Sequence, residues 1–453
     1  MLIDSHAHLD QPEYDSDREE VIAHAINSGV RYILNVSIDC ESLKKSIALA
    51  EKHDFIYAAA GVHPQNPFPE EFAKMRSLFD HPKIVAIGEI GLDYYRGAEQ
   101  KEKQIEVFRL FLREAKKRNL PVLIHQREAQ DDVLKILREE MTFPCRGVMH
   151  CFSGDIYWAR ECVKMGFYIS FAGNLTYPKA DHLREVAKAI PIENMLIETD
   201  CPWLAPQAVR GERCQPAHVQ YTAEIMAKIK GLSFNDVARI TQLNFRQLFK
   251  IGDVKEKGKI AYPIRDSLYL NITNRCTSEC VFCVKNYKDY VKGHCLRLDE
   301  EPTVEEIISV IEDPSKFKEV VFCGYGEPTL RLDVIKEVSR WLKGKGLKVR
   351  IDTNGHGNLI NGRSIAAELE GLVDSVSVSL NTESGEKYEK LCRPIYGKKT
   401  FDEVKRFIVE CKGYIPDISV TALDMKGVDI EKCRAIAGEL GVGFRLRQFD
   451  EVG

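Results

Sequence analysis

The first 250 residues alternate short apolar runs with amphipathic stretches, and this alternation limits the possible folds more than any other feature. The stretches between the runs have helical spacing, as in residues 102–117 and 156–165. The apolar runs are 1–3, 32–36, 56–62, 84–90, 122–125, 147–151, 168–171 and 196–199. Eight strands separated by helices over about 250 residues are typical of a (β/α)8 barrel, so we expect an α/β domain of this type.

Length, charge and cysteine content limit the class of protein further. A chain of 453 residues is too long for one ordinary domain, so two are expected, each with its own core. The net charge of −4 gives no overall basic signature, so any contact with nucleic acid must use a local patch. The amino terminus does not resemble a signal peptide, and no apolar run approaches the roughly 20 residues that cross a bilayer. We therefore expect a cytoplasmic protein without membrane contact, whose 14 cysteines stay reduced.

The first predicted strand leads into two histidines, His6 and His8, in MLIDSHAHLD. Alternate residues of an extended chain lie on the same side, about 6.5 to 7 Å apart, so both imidazoles can reach one ion. Taken alone, this pair is as typical of surface histidines near a terminus as of a metal site.

The other predicted strands also end in potential metal ligands. In a (β/α)8 barrel the catalytic groups collect at the carboxyl ends of the strands. The polar residues at these ends are His6, His8, His63, Glu89, His125, His150 and Asp200. Without His63 they are four histidines and two carboxylates, more than one tetrahedral ion needs. The pattern therefore predicts two ions with a bridging carboxylate, and Glu89 is our choice for the bridge.

The ligand types indicate what such a centre could do. Imidazole with carboxylate suits zinc, manganese or iron, whereas magnesium prefers oxygen, so the identity of the metal stays open. Two ions about 4 Å apart can lower the pKa of a shared water and stabilise both oxygens of a phosphodiester displacement. Asp200 could hold one ion and accept a proton from that water. The predicted catalytic residues are therefore Glu89 and Asp200.

A phosphate substrate also needs cationic or hydrogen-bonding partners around the rim. Four such residues lie in predicted rim loops: His63, Arg127, Arg210 and Arg213. Guanidinium groups match phosphate oxygens in a bidentate fashion, although each arginine alone is as typical of a solvated surface charge. Tyr94 and Tyr95 could stack on the bases of single-stranded ends, but such a pair after a strand is as often packing.

These residues give the first half a family resemblance. Residues 1–252 resemble the TatD-type metal-dependent deoxyribonucleases, a branch of the amidohydrolase-like barrels. The segments that carry the resemblance are DSHAHLD, GVHP, IGEIGLDYY, IHQREA, HCFSG, ETDCPWLAP and RGER at 210–213. It implies a divalent-metal hydrolase of DNA, commonly a 3′ to 5′ exonuclease. The implied metal ligands are His6, His8, Glu89, His125, His150 and Asp200.

Two positions refine this resemblance. Glu89 stands where many relatives outside the branch have a carboxylated lysine, which favours phosphodiesters over cyclic amides as substrates. After RGER the usual continuation is RNEP, whereas Cys214, Gln215 and Pro216 follow Arg213 here. We expect the loss of an acidic residue to change the support of the ligands or a substrate contact, while the ligands themselves are intact.

The two halves are joined by a segment of different composition. Residues 253–265 lose the apolar periodicity, gain glycine and lysine, and end close after Pro263. We predict a linker here, between a hydrolase barrel at 1–252 and a second domain at 266–453.

A cysteine motif opens the second half. The run 268–273 predicts a strand, and a CTSECVFC segment follows it. Its cysteines are Cys276, Cys280 and Cys283. Thiolates suit iron and zinc, and this spacing lets one tight loop place three sulfurs around a 4Fe-4S cluster, which leaves one iron open. A zinc site is the alternative, with His294 or Cys295 as the fourth ligand.

A glycine-rich turn follows the next predicted strand, 320–323. Its residues are Gly324, Tyr325, Gly326 and Glu327. Glycines expose backbone amides and carbonyls, and such a peptide edge can bind an amino-acid-like ligand. Further strands end near residues 353, 379, 421 and 448, which makes six β-α units and predicts a partial (β/α)6 barrel.

Residues from about 265 to 453 resemble the radical S-adenosylmethionine (SAM) superfamily. The three cysteines carry the resemblance, together with GYGEPTL, a variant of GGEP with Tyr325 at the second glycine. It implies that the open iron of the cluster chelates SAM. The implied cofactor contacts are Phe282, Gly324, Tyr325, Gly326, Glu327, Ser379 and Asn381. It also implies an electron donor and a 5′-deoxyadenosyl radical that abstracts hydrogen from a substrate the sequence does not identify.

We therefore expect a bifunctional enzyme with two divalent ions (magnesium, manganese or zinc), a 4Fe-4S cluster and SAM. Its expected partners are DNA ends or single strands, the unidentified radical substrate and an electron donor. In one alternative the barrel hydrolyses a small ester or amide, coupled to radical modification of a metabolite or RNA. In another, one half is a non-catalytic scaffold or binding module.

Overall fold

The computed structural model describes residues 1–252 and 256–448. The chain forms two compact units that divide between residues 254 and 255. This division falls within the segment predicted as a linker, of which residues 253–255 lie outside the described part of the chain.

The first unit is built on an eight-stranded parallel sheet whose strands follow one another in chain order. The strands are β1 (Leu2–Ala7), β2 (Val30–Val36), β3 (Ile56–Ala60), β4 (Ile84–Asp93), β5 (Val122–Arg127), β6 (Gly147–Met149), β7 (Phe167–Phe171) and β8 (Met195–Ile197). Most of their residues are buried, as expected for a parallel sheet covered by helices. The predicted (β/α)8 fold is confirmed.

The sheet closes between its first strand and the segment after its last. The His8 amide donates to the Cys201 carbonyl at 2.9 Å, and the Asp200 amide donates to the His6 carbonyl at 2.9 Å. A parallel bridge also joins Ala7 to Cys201. Because His6 lies on β1, His8 directly follows it and this segment carries Asp200, barrel closure brings residues almost 200 positions apart to one rim.

Helices pack around this barrel. They are α1 (Arg18–Asn27), α2 (Cys40–Lys52), α3 (Pro69–Met75), α4 (Tyr94–Gly97), α5 (Lys101–Arg118), α6 (Gln130–Glu140), α7 (Ile156–Lys164), α8 (Asp181–Ala189), α9 (Val219–Lys230) and α10 (Phe234–Phe249). Helix α10 begins with a capping box in which Ser233 and Asp236 each accept a hydrogen bond from the other's backbone amide. It contacts β1 and β8, the two ends of the sheet.

Several predicted strands end before their apolar runs do, and in two of them a side-chain hydrogen bond marks the end. The run 147–151 forms strand only to Met149, because the Cys151 amide donates to the Glu198 carboxylate at 2.6 Å instead of joining the ladder. The run 196–199 forms strand only to Ile197, because the Thr199 amide donates to the Asp4 carboxylate at 2.9 Å. Hydrogen bonds to buried carboxylates thus end these two strands shortly before the predicted ligands His150 and Asp200.

The second unit has a seven-stranded sheet in the order β17-β16-β15-β14-β13-β10-β9. Its strands are β9 (Ala261–Ile264), β10 (Ser267–Leu270), β13 (Glu319–Phe322), β14 (Lys348–Thr353), β15 (Ser375–Ser379), β16 (Asp417–Asp424) and β17 (Gly443–Gln448), and a separate hairpin contains β11 (Tyr290–Val291) and β12 (His294–Cys295). The helices are α11 (Val304–Ser309), α12 (Leu332–Gly344), α13 (Gly357–Asn361), α14 (Gly385–Cys392), α15 (Thr400–Cys411) and α16 (Ile430–Leu440). The six predicted strands are present and mutually parallel.

The predicted linker is wrong for residues 261–264, which form β9 and pair antiparallel with β10. Tyr262 and Ile264 on this strand are buried. Pro263 is tolerated because β9 is an edge strand, where a missing N–H costs no ladder bond. The proline was the reason to expect a break.

Candidate metal centre and candidate cluster cavity

The two histidines at the end of β1 point at each other. His6 and His8 are buried, and their Nε2 atoms lie 3.1 Å apart. The Nδ1 atom of His8 lies 2.8 Å from the Val36 carbonyl and donates to it, so its Nε2 presents a lone pair to the centre. This is the arrangement that a metal-bound histidine needs.

Glu89 lies at the middle of the site, and its two carboxylate oxygens face different histidines. Oε2 is 3.4 Å from His6 Nε2 and 3.8 Å from His8 Nε2. Oε1 is 2.7 Å from His125 Nδ1 and 2.8 Å from His150 Nε2. Glu89 therefore has the position of a bridge between two ions.

Asp200 joins the side of the site that holds His6 and His8. Its Oδ1 is 3.5 Å from His8 Nε2 and 3.8 Å from His6 Nε2. Its backbone has a φ of +55°, and it begins a turn in which the Trp203 amide donates to its carbonyl at 3.1 Å. All six predicted ligands thus converge.

The donor atoms form three compact groups of the size that one ion requires. They are His6–Glu89–His150, His6–His8–Asp200 and His63–Glu89–His125, with the ligand atoms of each group within 4.8 Å of one another. Glu89 belongs to two of the groups, and so does His6. The groups overlap, so ions bound in neighbouring groups would share ligands.

The electrostatics of the site also fit a cation. Burial alone would raise the pKa of Glu89, but the charge of His150 and hydrogen bonds from His125 and His150 hold it well below its usual range. Burial disfavours a charged His150, yet the charge of Glu89 and a hydrogen bond to Glu198 raise its pKa well above the ordinary value. The buried carboxylates therefore attract positive charge, which divalent ions would supply.

Two glycines make this convergence possible. A Cβ at Gly61 would lie 2.3 Å from the carbonyl carbon of Gly88, beside Glu89. A Cβ at Gly91 would lie 2.0 Å from the carbonyl oxygen of His125. Strands β3, β4 and β5 can approach closely at Glu89 only because these side chains are absent.

Two carboxylates that sequence reasoning did not select stand behind the histidines. Glu198 Oε1 is 3.4 Å from His150 Nδ1, and Asp93 Oδ2 is 3.4 Å from His125 Nε2. Carboxylates in this position fix the ring and raise the basicity of the ligand. Asp93 ends β4, the strand that carries Glu89, and Glu198 lies two residues before Asp200, but neither position by itself shows which histidine the acid faces. Asp4 has another role, because both of its oxygens accept hydrogen bonds from Thr199.

The predicted rim residues differ in whether their side chains can contact a phosphate. Arg127 lies over the ring of Tyr95 at 3.9 Å, and Arg210 lies over the ring of Tyr177 at 4.1 Å. Both can still present guanidinium edges to a phosphate. His63 Nε2 is 3.6 Å from Glu89 Oε1.

Arg213 is the exception. Its guanidinium pairs with Asp17 at 2.5 Å and also bonds to the Glu13 carbonyl. We therefore remove Arg213 from the expected phosphate contacts. Tyr94 likewise has an internal role, because its hydroxyl donates to Asp132 at 2.8 Å.

Trp203 was also missed by sequence reasoning. It is 46% exposed, and its ring centroid is 5.1 Å from that of His8. An exposed tryptophan beside a metal centre is a surface on which a base can stack. Gln215 lies in the segment that replaces the usual RNEP continuation, and it is not part of such a stacking surface. Its side chain bonds instead to His24 and His218.

The second unit brings its predicted residues to one cavity of about 250 Å³. The residues that line it include Cys276, Cys280, Phe282, Cys283, Gly324, Tyr325, Gly326, Glu327, Ser379 and Asn381. The three cysteines are partly exposed free thiols on one loop, and soft donors of this kind fit an iron-sulfur cluster. His294 and Cys295 are not among the lining residues, and His294 Nε2 bonds to the Pro263 carbonyl at 2.8 Å. The zinc alternative is therefore not favoured.

The glycine-rich turn is held by internal contacts. A Cβ at Gly326 would lie 2.3 Å from the Arg275 carbonyl oxygen, so this residue must be glycine. The Tyr325 side chain is buried, and its hydroxyl donates to the Lys288 carbonyl at 2.5 Å. The Glu327 carboxylate accepts hydrogen bonds from Thr329, Thr353 and the Asn354 amide. Its side chain therefore holds the turn together, and the backbone edge is left to bind a ligand.

Ser379 and Asn381 lie at the end of β15, where a further arginine meets them. Arg447 Nη2 is 3.4 Å from Ser379 Oγ and 3.3 Å from Asn381 Oδ1. Arg447 is on β17, and sequence reasoning did not select it.

Two family models match the chain in succession. Residues 3–250 match the model described as TatD related DNase, and residues 270–440 match the Radical SAM superfamily. YabD of Bacillus subtilis (strain 168), an uncharacterized metal-dependent hydrolase, is 45% identical over 255 residues, which are 56% of this chain and 100% of the relative. The 3′-5′ ssDNA/RNA exonuclease TatD of Erwinia tasmaniensis is 31% identical over 259 residues, which are 55% of this chain and 100% of the relative.

Solved structures give the same result for the first unit. YJJV, a TatD homolog from Escherichia coli K12, matches with a TM-score of 0.53 at 29% identity, covering 55% of this chain and 98% of its own. The barrel with its convergent histidines and carboxylates defines a metal-dependent hydrolase, and the second unit is a radical SAM domain. The chain belongs to the TatD-related DNase family. Among its described residues, no helix is long and apolar enough to cross a membrane.

Proposed function

We propose that the first unit is a two-metal deoxyribonuclease that hydrolyses phosphodiester bonds at single-stranded DNA ends, in the 3′ to 5′ direction. The position of Glu89 carries this proposal, because its two oxygens face two separate groups of histidines. The name of the Erwinia relative, a 3′-5′ ssDNA/RNA exonuclease, supports the choice of substrate and direction.

The expected ligands divide between two ions that share Glu89. His6, His8 and Asp200 would hold one ion, and His125 and His150 the other. Magnesium, manganese or zinc would serve. Bound there, the ions would polarise the phosphate and lower the pKa of a coordinated water.

Two side chains have roles of their own in this proposal. Burial would raise the pKa of Asp200, but a hydrogen bond from His8 and the charges of nearby histidines lower it, so the carboxylate is ionised and can accept the proton of the attacking water. Burial lowers the pKa of His63 to about 3, so this ring is neutral. The backbone amide of Gln65 donates to His63 Nδ1 at 3.2 Å, which assigns the ring hydrogen to Nε2. His63 can therefore donate to a phosphate oxygen.

The rim provides the remaining contacts with a single strand. Arg127 and Arg210 would bind flanking phosphates, and Trp203 and Tyr95, both exposed, would stack on unpaired bases. A duplex keeps its bases stacked on each other, so this surface favours frayed or single-stranded ends.

For the second unit we propose a 4Fe-4S cluster on Cys276, Cys280 and Cys283, with SAM in the adjoining cavity and an electron donor that reduces the cluster. Its substrate is unidentified. The exposed free thiols also suggest a reducing compartment, and we propose the cytoplasm.

Glu89→Gln tests the nuclease proposal. It keeps the shape of the side chain but removes the charge shared by both ions, and we expect at least a hundredfold loss of kcat/KM, about 2.7 kcal/mol. The assay follows a 3′-labelled and a 5′-labelled single-stranded oligonucleotide with added manganese. Glu106→Gln on the exposed surface of α5 is the control. Unchanged hydrolysis by Glu89→Gln would exclude the bridge.

Two further measurements separate the alternatives. Hydrolysis of p-nitrophenyl acetate without oligonucleotide cleavage would favour the small-ester hydrolase. Cys276→Ala should lose cluster iron and SAM cleavage after anaerobic purification while keeping full nuclease activity. Retention of both would contradict the cluster assignment.

A further inference from the structure

The cluster loop is paired with another segment of the second unit. Three backbone hydrogen bonds join them: Ile395 N to Thr277 O at 3.0 Å, Glu279 N to Arg393 O at 3.2 Å, and Val281 N to Leu391 O at 2.9 Å. An antiparallel bridge also joins Ser278 and Pro394. Residues 277–281 therefore pair with residues 391–395, which are the end of α14 and the segment after it.

These contacts set Cys280 beside Cys392. The backbone bonds from Glu279 to Arg393 and from Val281 to Leu391 flank the two cysteines on either side. Cys392 is the last residue of α14, and Cys280 packs against the apolar cluster that contains Cys392. A disulfide spans Cα atoms about 4.4–6.8 Å apart, a range that segments held this closely can meet.

The surroundings of the pair differ on its two sides. Cys392 is buried, with 1% exposure, whereas Cys280 is partly exposed and lines the cavity. Cys280 packs against the apolar cluster that contains Cys392, and a hydrogen bond with Cys392 raises the pKa of Cys280. Asn381 Nδ2 donates to Cys392 Sγ at 3.8 Å, so the pair adjoins an expected SAM contact.

We propose that Cys280 and Cys392 form a disulfide when the cluster is absent, so that a thiol reductant must open this bond before iron can bind. The proposal rests on the proposed role of Cys280 as a cluster ligand. It assigns Cys392 a part in controlling access to the cluster site.

A small disulfide such as oxidised glutathione would serve as the oxidant. The exposed Cys280 thiolate attacks one glutathione sulfur, the glutathione S–S bond breaks, and one glutathione thiolate leaves. The Cys392 thiolate then attacks the Cys280 sulfur and releases the second glutathione. Two cysteines lose two electrons, one oxidised glutathione gains them, and the two thiol protons pass to the released thiolates. A reducing dithiol reverses the sequence.

The first test maps the disulfide in the full chain. Protein stripped of iron, reduced and desalted is treated with oxidised glutathione at about pH 8.5, near the ordinary pKa of a thiol. Free thiols are then alkylated, and the peptides are identified by mass spectrometry. We expect a cross-linked pair that contains Cys280 and Cys392 in most molecules. Alkylation of both cysteines as free thiols, or a bond from Cys280 to Cys276 or Cys283, would overturn the proposal.

The second test uses cobalt(II) alone as a probe of open thiolates. The oxidised chain should lose more than half of the thiolate-to-cobalt absorption of the reduced chain, and a dithiol should restore it. Cys392→Ser should give no internal cross-link after the same oxidation. Cys411→Ala, which removes another fully buried thiol of this unit, should behave like the unsubstituted protein. An unchanged cobalt signal after oxidation would refute the gate.

The two proposals fail in different ways. If the reduced chain takes up no cluster while the Cys280–Cys392 bond is found, the cluster assignment is wrong and the disulfide stands. If a cluster assembles equally well before and after oxidation, the cluster assignment stands and the redox gate is wrong.

Discussion

Replacing Glu198 tests whether the centre depends on a carboxylate that contacts no expected ion. In the wild-type protein one Glu198 oxygen accepts from the Cys151 amide at 2.6 Å and faces His150 Nδ1 at 3.4 Å. The other accepts from the Ser170 hydroxyl at 2.6 Å. Glu198→Gln can keep both hydrogen bonds, because its oxygen still accepts from Cys151 and the Ser170 hydroxyl can turn to accept from the new amide.

What the substitution removes is the negative charge behind His150. A carboxylate in this position contributes about ten- to hundredfold in metal affinity or activity, which corresponds to about 1.4–2.7 kcal/mol. We expect manganese affinity, measured by calorimetry, and kcat/KM on a single-stranded oligonucleotide to fall within this range. The melting temperature of the metal-free protein should change little, since the hydrogen bonds remain.

The control is Glu185→Gln, a charge removal on the exposed face of α8. If Glu198→Gln bound manganese and cleaved DNA within twofold of the wild type while folding normally, the reasoning about the carboxylate would be refuted. A large loss of melting temperature in the metal-free protein would show instead that Glu198 acts mainly in folding.

Three further predictions concern other residues of the two units. Trp203→Ala should raise KM for an oligonucleotide about five- to 150-fold, the equivalent of about 1–3 kcal/mol for one stacked base. It should not change hydrolysis of bis(p-nitrophenyl) phosphate, and equal losses on both substrates would contradict stacking. Arg127→Gln should lower kcat/KM on DNA more than Arg213→Gln does, because Arg213 is already paired; the reverse order would restore Arg213 to the substrate contacts. Burial lowers the pKa of His356 to about 4. The unfolded chain, with a pKa of about 6.5, binds a proton first as the pH falls, so the folded state loses about 2 kcal/mol of stability at pH 5. The melting temperature of the second unit should therefore fall less between pH 7 and pH 5 in His356→Gln than in the wild type, and an equal fall in both proteins would contradict this.

Much of the metal centre could be predicted from sequence because parallel strands in a closed barrel end on one rim. His6, Glu89, His125 and Asp200 each follow an apolar run, and a run's end is visible without knowing its neighbours. The same logic found the cysteine loop, since its three sulfurs lie within eight residues.

Contacts that depend on one side chain meeting another were not visible in this way. Arg213 could not be told from Arg127, because only the structure shows its partner, Asp17. Glu198 supports His150 from the end of another strand, and nothing local in either segment links the two. The strand at 261–264 was missed because its proline lies at a sheet edge, and edges are defined by the order of strands.

The sequence alone determined which residues could bind metal, because hydrophobic runs and donor types are local properties of the chain. Only the tertiary structure decided which donors share an ion and which thiol faces Cys280. The reason is that pairing distances depend on barrel closure and on which distant segments lie side by side, and neither is a local property of the chain.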